Sequence, residues 1–596
     1  MSENPLKMRL FASCILAVFL IPPYATYAQE ASPSLRQADA AYRAGTAAFS
    51  RNDFNVAREE FEKVVRFAPN SEQGHSDLGT VLLRLGRTSD GIRELEKALA
   101  IKPGDGNAQL NLALGYQQAG QSAKALPWFA KLEAASRTEK RPLPANVLVP
   151  YARSLAATQQ LPAAIARMKE AVAEDKGNAG LQDELGSLYA QRQDWLNAKG
   201  AFTAALQANP DLAVAHMHLG MTLQAQQQPG AMDELNKAYQ LAPKNAPIAL
   251  VLGQTLASGG NDEQAIPLLQ QAVELNPDST PAAYQLGLAL QRVSKPDEAI
   301  PLLQKVAGAE PGDADVLTNL GMALCQAQRA KEAVPVLERA VSLAPSNITA
   351  HEDLAAAYIQ LSQFDDAVSQ LRAALKLSPN TPQLHYNLGL AFKMQDDAVD
   401  AIPELEAAER LDPASYEAPY ALGLLYLQAG RYADAARELN TSLKLQPENG
   451  EEWATLGSVY NHLDKLPEAE AALQEAIQRQ PEQPDPHLTL AAVLVKQNQP
   501  AEAAAERKKA AGLMRTNMNR QRAEVASNSG NSLLKSGKVE DAIAEFRNAV
   551  SYDPDYGEAH LGLANALERH GEAAEAAAER QKATTLAKSP GKQDPQ

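Results

Sequence analysis

The stretch PQLHYNLGLAFKMQDDAVDAIPELEAAERLDPAS, residues 382–415, is one copy of a 34-residue unit that recurs along almost the whole chain. Prolines mark the period, because from Pro243 to Pro481 every step between marker prolines is 34 residues. A strict period of this length indicates one small structural unit copied many times, each copy unable to bury its apolar face alone. The markers are Pro69, Pro103, Pro210, Pro243, Pro277, Pro311, Pro345, Pro379, Pro413, Pro447, Pro481 and Pro554.

Small residues recur at two fixed positions of this unit. With the proline counted as position 32, sixteen repeats run from about Ala38 to Lys588. Position 20 is alanine in fifteen of the sixteen, and position 8 is glycine in eleven and alanine in five, which lets two helix backbones approach closely. Apolar residues recur at three- and four-residue spacing, as in residues 385–392, and the proline ends the second helix. Each repeat is therefore predicted to be a helix, a short turn and a second helix.

This pattern resembles the tetratricopeptide repeat family. Glycine or alanine at position 8, alanine at position 20 and proline at position 32 are the signature of that family, and they recur here in register. The resemblance implies an all-α fold, a right-handed superhelical solenoid of about sixteen helix-turn-helix repeats whose first helices line a concave groove. It also implies a binding scaffold and not an enzyme.

The period breaks at two basic segments, where arginine replaces the expected proline. One is Arg137–Pro144, before the fourth repeat, and the other is Arg515–Arg522, before the fifteenth. The predicted organisation is a signal peptide over residues 1–28, a short linker over 29–37, repeats 1–3 over 38–137, a basic and proline-containing spacer over 138–144, repeats 4–14 over 145–515, a basic spacer over 516–522, repeats 15–16 over 523–588 and a disordered tail over 589–596.

The N-terminus has the pattern of a secretory signal peptide. Lys7 and Arg9 precede an almost wholly apolar run over residues 10–21, and small residues then favour cleavage after Ala28. An uncleaved anchor is the alternative, but twelve residues fall short of the roughly 20 that span a bilayer. A lipoprotein at Cys14 is disfavoured because more apolar residues follow this cysteine. We predict an exported protein, periplasmic or secreted, with no integral membrane segment after cleavage.

The sequence contains no recognised catalytic motif, and we predict no enzyme, metal or cofactor. Nucleophile-elbow, Walker and dinucleotide-binding motifs are absent, and residues 351–355 carry alanine where a zinc protease needs its second histidine. Six histidines share one repeat position, but residues a repeat or more apart cannot converge on one ion. We interpret them as half-buried residues near the start of the first helices: His75, His216, His351, His385, His487 and His560. A net charge of −16 argues against a nucleic-acid partner.

The informative variation lies on the first helices, at positions 5, 6 and 9. Apolar and aromatic residues there could accept an apolar peptide or helix, and asparagine at position 6 could hold an extended peptide by its backbone. The alternative is that these side chains pack against the adjacent repeat, and the asparagine row is interrupted, for example by Asp353 and Ala421. The candidate peptide-binding residues are Met217, Met221, Tyr284, Leu288, Asn319, Met322, Tyr386, Asn387, Leu390, Tyr420 and Leu424.

We predict an exported, non-catalytic scaffold that binds proteins or peptides in this groove. An alternative is an accessory protein of envelope polysaccharide or lipid-linked polymer export and assembly. The fixed positions of the repeats encode packing, so the sequence does not identify the partner.

Overall fold

The computed structural model describes residues 33–587, and within this range all regular secondary structure is helical, with 31 helices and no strand. The predicted signal peptide and the predicted tail lie outside the described residues. The chain divides into two compact units, residues 1–306 and 307–596. Within residues 33–587, no helix is both long enough and apolar enough to cross a membrane.

The helices of the first unit, of which the last ends just beyond its boundary, are α1 (Pro33–Ser50), α2 (Phe54–Phe67), α3 (Glu72–Arg84), α4 (Thr88–Ile101), α5 (Gly106–Gln118), α6 (Ser122–Glu139), α7 (Ala145–Ala157), α8 (Leu161–Glu174), α9 (Ala179–Gln191), α10 (Trp195–Ala208), α11 (Ala213–Ala225), α12 (Ala231–Leu241), α13 (Ala246–Ser258), α14 (Asp262–Leu275), α15 (Thr280–Arg292) and α16 (Pro296–Ala309).

The helices of the second unit are α17 (Ala314–Gln326), α18 (Ala330–Leu343), α19 (Ile348–Gln360), α20 (Phe364–Leu377), α21 (Pro382–Met394), α22 (Ala398–Leu411), α23 (Glu417–Gln428), α24 (Tyr432–Leu445), α25 (Gly450–His462), α26 (Leu466–Arg479), α27 (Pro484–Lys496), α28 (Pro500–Lys535), α29 (Val539–Tyr552), α30 (Gly557–His570) and α31 (Ala573–Ala587). Since α28 serves two repeats, the 31 helices form sixteen helix pairs.

The two helices of a repeat pack closely because positions 8 and 20 carry little side chain. A Cβ atom on Gly389 would lie 2.6 Å from Cγ of Leu405 on the paired helix, which is closer than real Cβ atoms approach. The alanine at position 20 of the same repeat, Ala401, has no exposed surface. The predicted role of the small residues is therefore confirmed.

A left-handed residue closes the turn inside every repeat. Position 15, counted forward from the small residue at position 8, has a positive φ in all sixteen repeats, between 53° and 98°. Glycine tolerates this conformation at no steric cost, yet it fills the position in only six repeats, for example Gly430, while polar residues such as Asn52 and Gln328 fill the other ten. The turn therefore reverses the chain with one backbone geometry, although no single residue type marks it in the sequence.

The two predicted spacers have different structures. The first contains the end of α6, a left-handed Lys140 that caps this helix, and four residues without helical structure before α7 begins. The second is wholly helical, because α28 runs for 36 residues through the second helix of repeat 14, residues 516–522 and the first helix of repeat 15. At the N-terminus, α1 begins at Pro33, so the predicted linker is helical from that residue onward.

Candidate functional site

The histidines at repeat position 4 join the two helices of their own repeat. In the sixteenth repeat, His560 Nδ1 lies 2.5 Å from a carboxylate oxygen of Glu579, and His560 Nε2 lies 2.8 Å from the carbonyl oxygen of Pro554. The second-helix partner is a glutamate in five of these repeats and a glutamine in the sixth: His75–Glu94, His216–Glu234, His351–Gln370, His385–Glu404, His487–Glu506 and His560–Glu579. These histidines therefore have a structural role in the packing of the repeat, and no group of metal ligands occurs within residues 33–587.

We call positions 2, 5, 6 and 9 of the first helices the first-helix face. In unit 1, polar side chains on this face bond to one another across successive repeats. Asn111 Nδ2 donates to Thr80 Oγ1 at 2.9 Å, and His218 Nδ1 lies 2.9 Å from a carboxylate oxygen of Asp183. Because these groups already satisfy each other, a ligand gains little by replacing those bonds.

An open cavity of about 540 Å³ lies beside α7 and α9 in unit 1. Its lining includes Arg153 and Glu184, whose Nε and Oε2 atoms are 3.0 Å apart. The two charges neutralise each other, so the cavity does not present a site of one sign for a charged cofactor.

The candidate residues of unit 1 have different environments. Met217 is 7% exposed and belongs to a core cluster with Leu235 and Ile248, whereas Met221, one turn later on α11, is 44% exposed. Tyr284 and Leu288 are half-buried on α15. Met217 therefore packs as a core residue, and the other three present surface on the first-helix face.

The candidate residues of unit 2 are half-buried on three first helices. They are Asn319 and Met322 on α17, Tyr386, Asn387 and Leu390 on α21, and Tyr420 and Leu424 on α23. Asn319 donates to the carbonyl oxygen of Asp315 at 2.8 Å, and Asn387 accepts from Gln383 at 3.0 Å. Each asparagine thus uses its side chain within its own helix, while the aromatic and aliphatic residues keep part of their surface exposed.

Nearby carboxylates act on the two candidate tyrosines of unit 2, Tyr386 and Tyr420. Burial, followed by the charge of Glu417, raises the pKa of Tyr386 above its ordinary value. Burial, followed by the charges of Glu451 and Glu452, has the same effect on the pKa of Tyr420. The first-helix face here therefore combines aromatic rings with negative charge.

Asp353 is a carboxylate without a full set of partners. Its Oδ2 atom is buried and has no hydrogen-bond partner among the described residues. Burial, followed by the charge of Glu352, raises the pKa of Asp353 from its ordinary value of 3.8 to about 7. Burial likewise raises the pKa of Glu352. Ionisation of this carboxyl group is unfavourable in the unbound protein, and a cation bound beside it would stabilise the ionised form.

Sequence reasoning missed three acidic residues, two on the first-helix face and one buried beside it. The available signal was Glu352-Asp353 at positions 5 and 6, where neighbouring repeats carry threonine, tyrosine or asparagine. A second signal was Glu452 at position 3, a position that holds an apolar residue (alanine, leucine, valine or proline) in the other repeats of unit 2. Glu452 has no exposed surface, and burial raises its pKa. Acidic residues are common in this chain, so only their burial distinguishes these three.

The repeated helix pairs, with small residues at their contacts, define a helical repeat protein. Its series of first-helix faces is typical of a binding scaffold. Family models described as tetratricopeptide repeat match residues 76–140, 184–246 and 528–591, and another of the same description matches residues 223–290. A model described as the C-terminal domain of cilia and flagella-associated protein 70 matches residues 303–528. The chain is a tetratricopeptide repeat protein. Proteins of this kind typically act as protein-binding scaffolds and are generally non-catalytic.

Solved structures of repeat proteins are also similar to this chain. YrrB, described as a TPR protein with an unusual peptide-binding site, is 26% identical over 31% of this chain and 95% of its own, with a TM-score of 0.28. The Cut9–Hcn1 hetero-tetramer of the APC/C is 16% identical over 83% of this chain and 96% of its own, with a TM-score of 0.32. Yeast Tom70 is 16% identical over 67% of this chain and 96% of its own, with a TM-score of 0.27. The comparison with curated proteins found no match.

Proposed function

We propose that this protein is an exported scaffold that binds protein or peptide partners on its first-helix faces. The observation that supports this proposal most is the set of half-buried Tyr386, Leu390, Tyr420 and Leu424 on two first helices of unit 2. Aromatic side chains bury a large area and lose little conformational entropy on binding, so they serve as anchors for a partner.

The proposal of export rests on residues 1–28, whose pattern of basic residues, a short apolar run and small residues favours secretion and cleavage. These residues lie outside the described part of the chain. A scaffold in the envelope would meet partner proteins there, and the repeats would supply a series of adjacent faces for them.

Substitution of the tyrosines tests the proposed binding face. In unit 2, we expect Tyr386→Ala with Tyr420→Ala to reduce the capture of specific partner proteins from envelope extracts at least tenfold, with helix content and melting unchanged. Tyr284→Ala tests unit 1 separately. The matched control is Tyr552→Ala, an exposed tyrosine on the second helix α29, which should leave capture unchanged. A cooperative loss of stability in the double variant would show that these tyrosines are core residues, and the proposed site would be wrong.

A further inference from the structure

Helix α28 carries an exposed basic segment in an otherwise acidic protein. Residues 507–522 contain six basic residues and no acidic one, whereas the whole chain has a net charge of −16. Between Ala510 and Ala523 no residue of this helix is buried. The stretch between these two alanines is therefore about three helical turns without a buried residue, at 3.6 residues per turn.

One side of this segment is attached to the following repeat. Arg520 Nε lies 2.6 Å from a carboxylate oxygen of Asp553, and the Arg520 guanidinium carbon lies 4.9 Å from the ring centroid of Tyr556. These contacts fix the rotation of the helix about its own axis, so the residues on the opposite side face away from the repeat.

Each residue on that opposite side lies three or four residues from another of them, which places the set along a single helix face. We call this surface the outer face of α28. It is formed by Arg507, Ala511, Met514, Arg515, Met518, Arg522 and Val525, all of which are exposed. From the first to the last residue it is about 27 Å long, at 1.5 Å per residue.

The cations of the outer face have no acidic partner among the described residues. Arg507, Arg515 and Arg522, and the adjacent Lys508, are exposed and form no ion pair within residues 33–587. The paired basic residues of the segment lie off this face, for Lys509 contacts Glu506 at 2.6 Å and Arg520 contacts Asp553. Four uncompensated charges therefore lie on or beside one face.

The same face carries exposed apolar side chains. Met514 is 44% exposed, Met518 is 46% exposed and Val525 is 71% exposed. Methionine is unbranched and polarisable, so it adapts to the shape of a partner. Cations along one edge of an apolar stripe match a partner that carries carboxylates along one edge of its own apolar stripe.

The geometry points to the outer face of α28 as a docking site for an acidic amphipathic helix of a partner protein. Charge complementarity requires a partner that is negatively charged. The linear stripe of Met514, Met518 and Val525 matches a partner whose apolar residues recur with helical periodicity. This surface is distinct from the first-helix faces and does not depend on them.

An anionic lipid surface fits the outer face less well. Helices that lie on membranes present tryptophan, phenylalanine or leucine to the lipid, whereas this face presents methionine and valine. A partner helix is narrow enough to contact the outer face alone.

The test uses the purified protein and a fluorescein-labelled 18-residue helical peptide, with leucines along one face and glutamates along one edge of that face. We expect Arg507→Gln, Lys508→Gln, Arg515→Gln and Arg522→Gln together to raise the Kd at least tenfold. We expect Met514→Ser with Met518→Ser to raise it at least fivefold. The matched control makes the same change of charge elsewhere on the surface, with Lys176→Gln, Lys237→Gln, Lys331→Gln and Lys444→Gln, and should change the Kd less than twofold.

Four results would overturn the proposal. One is an equal loss of peptide binding in the lysine control, which would indicate general attraction between charges. Another is normal binding by the methionine variant, which would leave the apolar stripe without a role. Tighter binding to phosphatidylglycerol vesicles than to the peptide, lost in the arginine variant, would identify lipid as the occupant. Oligomers in sedimentation of the protein alone, lost in the same variant, would identify a second copy.

Discussion

Asp353 should make the stability of unit 2 depend on pH, and one substitution should remove that dependence. Its carboxyl is partly buried, and one of its oxygens has no hydrogen-bond partner in the described chain. Burial and the charge of Glu352 raise its pKa from 3.8 to about 7. A raised folded-state pKa means that the folded protein binds the proton more tightly than the unfolded chain. The resulting stabilisation is complete below pH 3.8 and is lost as the pH rises through about 7.

The size of the effect follows from the pKa. The difference between 3.8 and about 7 corresponds to at most about 4 kcal/mol, since a tenfold change in proton affinity is about 1.4 kcal/mol. Solvent reaches part of the side chain and screens its charge, so we expect about 2 kcal/mol. Between pH 8 and pH 5.5, the free energy of unfolding of the repeats around α19 should therefore increase as the pH falls.

The assay is hydrogen exchange of the α17–α19 amides at pH 8 and pH 5.5, corrected for intrinsic exchange, because stability in a repeat protein is a sum of local terms. Asp353→Asn should raise protection at pH 8 by about 1–2 kcal/mol and leave a nearly flat pH dependence. Asp315→Asn on the exposed start of α17 makes the same change of charge and should leave the dependence intact. Lower protection of the Asp353→Asn variant at pH 8 would refute the reasoning, because it would show that the ionised carboxylate stabilises the fold.

Three further predictions concern export, packing and the long helix. The mature N-terminus should be Gln29 in the soluble extracytoplasmic fraction by Edman sequencing, and full-length protein in the cytoplasm would contradict the proposed export. In thermal melts, Gly423→Ala should lower the free energy of unfolding by about 1–3 kcal/mol, because the new Cβ would lie 2.7 Å from Cγ of Leu439. Gly430→Ala should lower it by about 1 kcal/mol, through the φ of 71° alone. Equal losses of stability in the two variants would contradict the packing argument. Limited trypsin should cut first within residues 515–522 of α28, because no residue between Ala510 and Ala523 is buried. A first cut in any other helix would show that this segment is as stable as the repeats.

The repeat, its helix pairs and their close packing could be predicted from sequence because packing itself imposes the period. Gly389 and Ala401 are small because the paired helix leaves no room for a larger side chain. The environment of a face residue does not follow from its repeat position in the same way. Met217 and Tyr386 occupy the same position, yet Met217 packs in the core while Tyr386 is half-buried. The exposure of such a side chain depends on its size and on the residues of the next repeat.

The two spacers show why helix ends were harder to predict than helix positions. Both lack the marker proline, but after α6 the chain contains Pro142 and Pro144, which cannot continue a helix. Between residues 513 and 529 there is neither proline nor glycine, so nothing ends α28. The missing proline was visible in the sequence, and its physical consequence is one continuous helix shared by two repeats.

Site-specific photo-crosslinking tests the central claim, that partners bind on the first-helix faces, most directly. A photoreactive amino acid in place of Tyr386 on α21 would be compared with the same amino acid in place of Lys376, which is exposed on the second helix α20. After irradiation in cells and mass spectrometry of the adducts, we expect a discrete set of proteins attached at position 386 and none of them at position 376. Equal labelling at the two positions, or no protein adduct at position 386, would contradict the account.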